Sequence, residues 1–212
     1  MVFANCAFLW RSKPIFKGIL LRHHNHNVVK GLYWFSTSTV NFSDADKALP
    51  LVDQVKRSLQ LVSSPVSVIT CDGIEAGSVI GMTVTSAIPL SMNPPMLSFN
   101  VKLPSRFSSR LHQVKHCGVN LLAYSQMPCA SLFSQPGHKA FKDEFEEIGK
   151  FTRLHNIPII SESNSSFLCQ VHKVIEVADH EIWFVKILEV ISKPNSQPCL
   201  LYHKRAYHQG PS

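Results

Sequence analysis

From Ala76 through Val101 the chain carries no charged side chain, and Lys102, Ser105 and Arg106 then close the stretch that begins at Val79. A run of this length invites a membrane-spanning reading. Pro89, Asn93, Pro94 and Pro95 break any helix there, and Ser and Thr residues interrupt its apolar character, so a bilayer span is excluded. The stretch reads as two buried strands, Val79–Thr85 and Met96–Val101, joined by a proline corner. An apolar surface rich in accessible backbone, ending in hydroxyls and cations, suits a flat uncharged ring system with a phosphate tail.

The chain has 212 residues, 45% of them hydrophobic and 17% charged, enough for one full core with sequence to spare. Its formal charge of +7 suggests nucleic acid or a membrane surface until its distribution is followed. The first acid is Asp44, and Arg11, Lys13, Lys17, Arg22 and Lys30 all precede it, so the remaining 16 bases and 14 acids leave the body at +2. No basic run with interleaved aromatics follows Asp44, which argues against a nucleic-acid partner. An acid-free, basic, amphipathic start that ends in the Ser36–Thr39 patch has the physics of a mitochondrial transit peptide. The expected division is a leader over residues 1–43 and a folded domain over 44–212, working in the mitochondrial matrix. His23, His24 and His26 lack Cys or acid partners and give no metal site. None of the six cysteines is spaced as CxxC, so they are read as buried small hydrophobes in a reducing compartment.

Along the body, residues 43–64 carry Val52, Val55, Leu59 and Val62 at helical spacing, with Pro50 expected in the first turn. Pro65–Cys71 is a β-branched strand that Asp72-Gly73 turns. After the Val79–Arg106 stretch, Ser105 caps a helix to about Val114, and His116–Leu122 is a strand. Gln126–Phe133 and Lys139–Gly149 read as helices, the latter with a solvated acidic face. Pro158–Ile160 opens an edge, Phe167–Val177 and Glu181–Ile191 form a long hairpin around Ala178-Asp179-His180, and Leu200–Tyr202 is a last strand. Six or seven strands, mostly antiparallel, with few crossover helices predict a mainly β fold: a closed or split β-barrel, Greek-key-like, with short helices outside.

The sequence contains no GxGxxG, Walker lysine loop, HExxH or GxSxG. Cys117 and His116 are adjacent on a strand and point to opposite faces, so they do not make a nucleophile pair. Gly81 permits close backbone approach, Thr83, Thr85 and Ser86 supply hydroxyls and N–H groups, and Ser105 with Arg106 and Lys102 suits a phosphate. Taken singly, each of these also fits an ordinary strand or cap residue.

Read in order, SSPVSVITCDG, GMTVTSAIPLSMNPPMLSFNV, Pro104-Ser105, CGVNLLAYSQ, Leu132-Phe133, IPIISES, CQVHKVIEVADHEIWFVKILEV and LLYHKRAY resemble the flavin reductase-like proteins. These are FMN-binding split-barrel reductases that supply two-component monooxygenases, and the resemblance spans about residues 50–208. It implies FMN as cofactor and NADH or NADPH as co-substrate, with hydride passing from nicotinamide to flavin. It places the ring against Gly81, Met82, Thr83, Val84, Thr85 and Ser86, and the ribityl phosphate near Asn100, Val101, Lys102, Ser105 and Arg106. Asn120 and Phe133 approach the same pocket in this reading. The family's Gly-Asp-His turn falls on Ala178, Asp179 and His180, with His180 orienting the nicotinamide as the catalytic residue.

The same resemblance implies a homodimer, with Trp183, Phe184 and Tyr207 as either interface or core, and a flavin-dependent monooxygenase as downstream partner. Two positions depart from the family pattern. Ala178 stands for the glycine, and Leu132 stands where a basic residue is frequent. They motivate an alternative, a split-barrel accessory protein that binds flavin without turnover or lacks it. A relative of pyridoxamine-phosphate oxidase, which shares the barrel and FMN, is a third reading.

Overall fold

The computed structural model describes residues 49–135, 151–193 and 197–211, all within a unit that runs from Ser43 to Ser212. The expected leader and the helix over residues 139–149 lie outside the described residues. Helix α1 spans Leu51–Leu59, with Pro50 at its N-cap instead of inside the first turn. Strands β1 (Ser64–Pro65), β2 (Ser67–Asp72), β3 (Val79–Val84), β4 (Ile88–Met92) and β5 (Pro95–Lys102) follow. Helix α2 is Arg106–Val114, β6 is His116–Leu121, and a 3-10 turn at Tyr124–Gln126 leads into α3, Met127–Phe133. The chain then forms β7 (Phe151–Leu154), β8 (Ile157–Ile160), β9 (Ser165–Val177), β10 (His180–Ser192), β11 (Leu200–His203) and β12 (Ala206–Gln209).

Seven of these strands form one antiparallel sheet in the order β3-β2-β6-β9-β10-β5-β4. Its two edges, β3 and β4, are consecutive in sequence and are joined only by Thr85, Ser86 and Ala87. A flat sheet of seven strands would hold its edges about 29 Å apart. The link from Val84 to Ile88 reaches at most about 14 Å. The sheet therefore curls until its edges approach, closed by chain and not by a ladder of hydrogen bonds, which is the split barrel.

Alternation along the strands builds two cores. Ile69, Cys71, Val84, Leu97, Phe99, Val101, Cys117, Val119, Cys169, Trp183 and Val185 point inward, and Phe107 and Leu111 of α2 pack with them. Val68, on the opposite face of β2, and Val66 just before the strand meet Leu122, Cys129, Ala130, Leu132, Phe133, Ile160 and Leu200 in an outer core under α3. That is why β2 reads as a continuous buried run: both of its faces are covered.

The structure corrects several expectations. The proline corner is largely strand β4, paired with β5 and bulged between Pro89 and Ser91. Pro89 is tolerated because β4 is an edge, where a missing N–H costs no ladder bond. The strands β7 and β12 were not anticipated; both are four residues long and carry weak alternation. Trp183 is fully buried and stacks near-parallel on Phe99, with centroids 6.3 Å apart, so it is core and not interface. Cys71, Cys117, Cys129 and Cys169 are free and buried as expected, and burial pushes the Cys71 and Cys129 thiols up to about 12, which leaves them unreactive.

A buried amide fastens the β7–β8 hairpin to the barrel wall. Asn120 Nδ2 donates to Val68 O at 2.9 Å and to Thr70 Oγ1 at 3.1 Å, while its Oδ1 accepts from Ile160 N and Ser166 Oγ, each at 2.9 Å. Both donors and both acceptor sites of the amide are thus filled. Replacing Asn120 by Ala orphans several buried groups together, and chemical denaturation is expected to show a loss of about 3 kcal/mol.

Candidate functional site

The resemblance sets the ring against Gly81–Ser86, and the structure divides that segment and the strand β3 that carries most of it. Ile80, Met82 and Val84 point into the inner core. On the other face, Thr83 Oγ1 donates to Ala130 O of α3 at 2.6 Å, and a Cβ built on Gly81 would lie 2.6 Å from the Phe133 ring. Gly81 is therefore required by the packing of Phe133, and Phe133 is in turn engaged with Gly81 and, edge-on, with Phe151 at 6.2 Å. Gly81, Met82 and Thr83 are half-buried, Thr85 is the exposed residue of the segment, and half-buried Ser86 accepts at its Oγ from Asn100 N at 3.0 Å across the seam.

The second half of the site comes from β10. Its register against β5 pairs Ile182 with Asn100 and His180 with Lys102, so these residues share the outer face. His180 Nδ1 lies 2.7 Å from Asp179 Oδ1, Lys102 Nζ lies 4.0 Å from Asp179 Oδ2, and Leu103 N donates to Asp179 O at 2.8 Å. The hydrogen bond from His180, with the nearby charges of His180 and Lys102, holds the Asp179 carboxyl below its usual range. The turn is only two residues long, and Ala178 sits in it at φ 53°, the left-handed region that a glycine would occupy without penalty.

Helix α2 starts beside this hairpin. Ser105 caps it, with Oγ accepting from Ser108 N at 3.1 Å, while Arg106 is exposed at the first turn. The N–H groups at the start of a helix have no intrahelical acceptor and face outward. Val101 is fully buried and points into the inner core, so it offers no accessible surface to a ligand. The structure therefore assembles Thr85, Ser86, Asn100, Lys102, Ser105, Arg106, Asp179 and His180 along the β5–β10 edge and the seam. Asn120 stands apart from them, sealed in the wall by its four hydrogen bonds. Leu132, at the position where a cation would be frequent, belongs to the outer core. Among the described residues no group of three or more His, Cys, Asp or Glu side chains is placed to hold a metal ion.

One acid escaped the sequence reading. Glu181 is only 9% exposed and is bonded to Ser108, His112 and Trp183. Its signal was parity: it alternates with Trp183 and Val185 and so must point inward with them.

The sequence matches the flavin reductase like domain over residues 59–211. The chain belongs to the flavin reductase-like family. Similar members include the FMN reductase (NADH) RutF of Enterobacter cloacae, 28% identical over 151 residues that are 71% of this chain and 89% of that protein. The flavin reductase (NADPH) of Lentzea aerocolonigenes is 33% identical, across 70% of this chain and 84% of its own. Among solved structures, the styrene monooxygenase flavin reductase of Pseudomonas putida S12 superposes with a TM-score of 0.66 at 25% identity, covering 74% of this chain and 97% of that one. The split barrel is thus the family fold.

Ala178 gives a direct test of the hairpin. Ala178→Gly removes the left-handed penalty at a cost in chain entropy, and a net gain of about 0.5–1 kcal/mol is expected, read as a melting midpoint about 2–3 °C higher.

Proposed function

We infer that this chain is an NAD(P)H-dependent flavin reductase whose flavin is FMN, and that it acts in the mitochondrial matrix as a homodimer. The observation that carries the reading is the junction of Lys102–Arg106 with Asp179–His180: residues far apart in sequence form one edge that offers cations, hydroxyls and a histidine. The oxidoreductase class rests on family membership and on relatives named as NADH- or NADPH-dependent flavin reductases. FMN is favoured over an unphosphorylated flavin by the two exposed cations, Lys102 and Arg106, beside the capped start of α2, which together suit a terminal phosphate.

When bound, FMN supplies the hydride-accepting ring, and the reduced nicotinamide supplies the hydride. The chain's own groups bind and orient. Lys102, Arg106 and the first N–H groups of α2 would hold the phosphate. Thr85, Ser86 and the side-chain amide of Asn100 would offer N–H and hydroxyl groups to the polar edge of the ring, where preorganised donors favour developing negative charge. Asp179, accepting from Nδ1 of His180, fixes that ring and leaves Nε2 for the nicotinamide. The Ala178 turn keeps a left-handed conformation, so the departure from glycine leaves the hairpin formed, which favours a working site over an inert scaffold.

A flavin-dependent monooxygenase as consumer is supported by the similarity to the styrene monooxygenase flavin reductase. Exposed Ile88, Leu90 and Met92 on edge strand β4 suit a subunit contact. The matrix assignment rests on the acid-free basic leader. Residues 1–43 fused to a reporter are expected to deliver it to mitochondria; a cytosolic signal removes that assignment.

The decisive experiment is spectroscopic. The purified chain is expected to bind FMN, turn yellow and bleach anaerobically on addition of NADH or NADPH. A colourless protein that cannot be loaded with FMN overturns the reading. His180→Ala is expected to slow bleaching by about 10- to 100-fold while changing the FMN Kd by no more than about twofold. Equal effects on both would remove its nicotinamide role.

A further inference from the structure

Glu181 follows His180 directly, yet it faces the other way. His180 shares the outer face with Lys102, whereas Glu181 is registered against buried Val101 and enters the inner core beside Trp183. A carboxylate there is costly unless both oxygens are hydrogen-bonded. Both are. Ser108 Oγ donates to Oε2 at 2.5 Å, Trp183 Nε1 donates to Oε2 at 3.2 Å, and His112 Nε2 lies 2.8 Å from Oε1.

Two of those three partners come from α2. Ser108 and His112 are four residues apart, hence on one face of the helix, and the His112 ring packs at 4.6 Å on Trp183. Ser108 has a second duty, because its N–H donates to Ser105 Oγ, the cap of the same helix. A chain of contacts therefore runs from the helix start, through Ser108, to Glu181, and by one peptide bond to His180. The circuit is closed outside the barrel by Leu103 N on Asp179 O and by Lys102 beside Asp179. A leucine at 181 would avoid desolvating a carboxylate, yet it would orphan the Ser108, His112 and Trp183 donors and remove the polar tie between α2 and the hairpin.

We propose that Glu181 is a positioning residue that locks the phosphate-binding start of α2 to the nicotinamide-orienting hairpin, fixing the two halves of the site in one register. The inference rests on the flavin reductase reading above. Burial raises the Glu181 carboxyl pKa, but the bonds from Ser108, His112 and Trp183 outweigh it and hold the group below its usual range, so it is ionised at neutral pH. Small displacements of reacting groups carry large rate penalties, which gives such a lock a function beyond stability.

The test compares Glu181→Leu, Glu181→Gln and Ser108→Ala with the wild-type full chain, using FMN itself as ligand. Four quantities are read: the FMN Kd from flavin fluorescence, amide hydrogen exchange over residues 103–112, the anaerobic bleaching rate with NADH at full FMN occupancy, and the melting midpoint. For Glu181→Leu the Kd is expected to rise about tenfold, bleaching to slow about tenfold and exchange to quicken about tenfold over residues 103–112 and not across the barrel, with a lower melting midpoint because the Ser108, His112 and Trp183 donors are orphaned. Glu181→Gln, which keeps an acceptor for Ser108, is expected to recover most of the Kd. Ser108→Ala removes one hydroxyl and should reproduce the same pattern at about threefold, which serves if the Glu181 variants fold poorly. Kd and exchange within twofold of wild type in both Glu181→Leu and Ser108→Ala would overturn the proposal, as would exchange that quickens equally across the barrel. A wild-type chain that binds FMN but is never bleached overturns the reductase reading instead, and the Kd and exchange measurements still decide the role of Glu181.

Discussion

The fold depends on one covalent constraint: Thr85, Ser86 and Ala87 must join the two edges of a seven-stranded sheet. Because so short a link cannot cross a flat sheet, the sheet curls, and curling creates an inside. The aliphatic and aromatic side chains of alternate positions are enclosed there, with α2 packed onto them through Phe107 and Leu111. The same link brings Ser86 onto the backbone of Asn100, so the place where the barrel is closed without a strand ladder is also the place where polar groups stay accessible.

Outside the barrel, a second layer explains why the ligand-facing surface is narrower than the uncharged stretch itself. Helix α3 covers one face of β3, with Phe133 seated on Gly81 and Ala130 O accepting from Thr83. The inner core takes the other face. What the two cores leave uncovered here is chiefly the seam and the outer surface of β5 and β10, where Lys102, Arg106 and His180 are only partly covered or exposed. The chemistry of the site is thus set by which faces the two cores have already claimed.

Much of this was legible in advance. The strand positions, the Ser105 cap and the pairing of a flavin-like stretch with the Asp179-His180 turn follow from alternation, turn residues and an ordered family resemblance. The roles of individual residues were less legible. The sequence suggests a ring beside Gly81, and the structure seats the Phe133 ring against it; Asn120 is expected near the same pocket, and its amide is bonded to Val68, Thr70, Ile160 and Ser166. Glu181 was passed over because its partners, Ser108 and His112, lie some seventy positions away and on a different element.

The sequence by itself determined the class of fold, the antiparallel strands and the family, because alternation, turn chemistry and the ordered motifs are local properties of the chain. It also placed five of the seven net positive charges before Asp44. Only the tertiary structure decided which face of each strand is covered. That depends on closure of the sheet and on the seating of α2 and α3, contacts between residues far apart in sequence that no local pattern encodes. The same closure brought Lys102 to Asp179 and turned Glu181 inward beneath them.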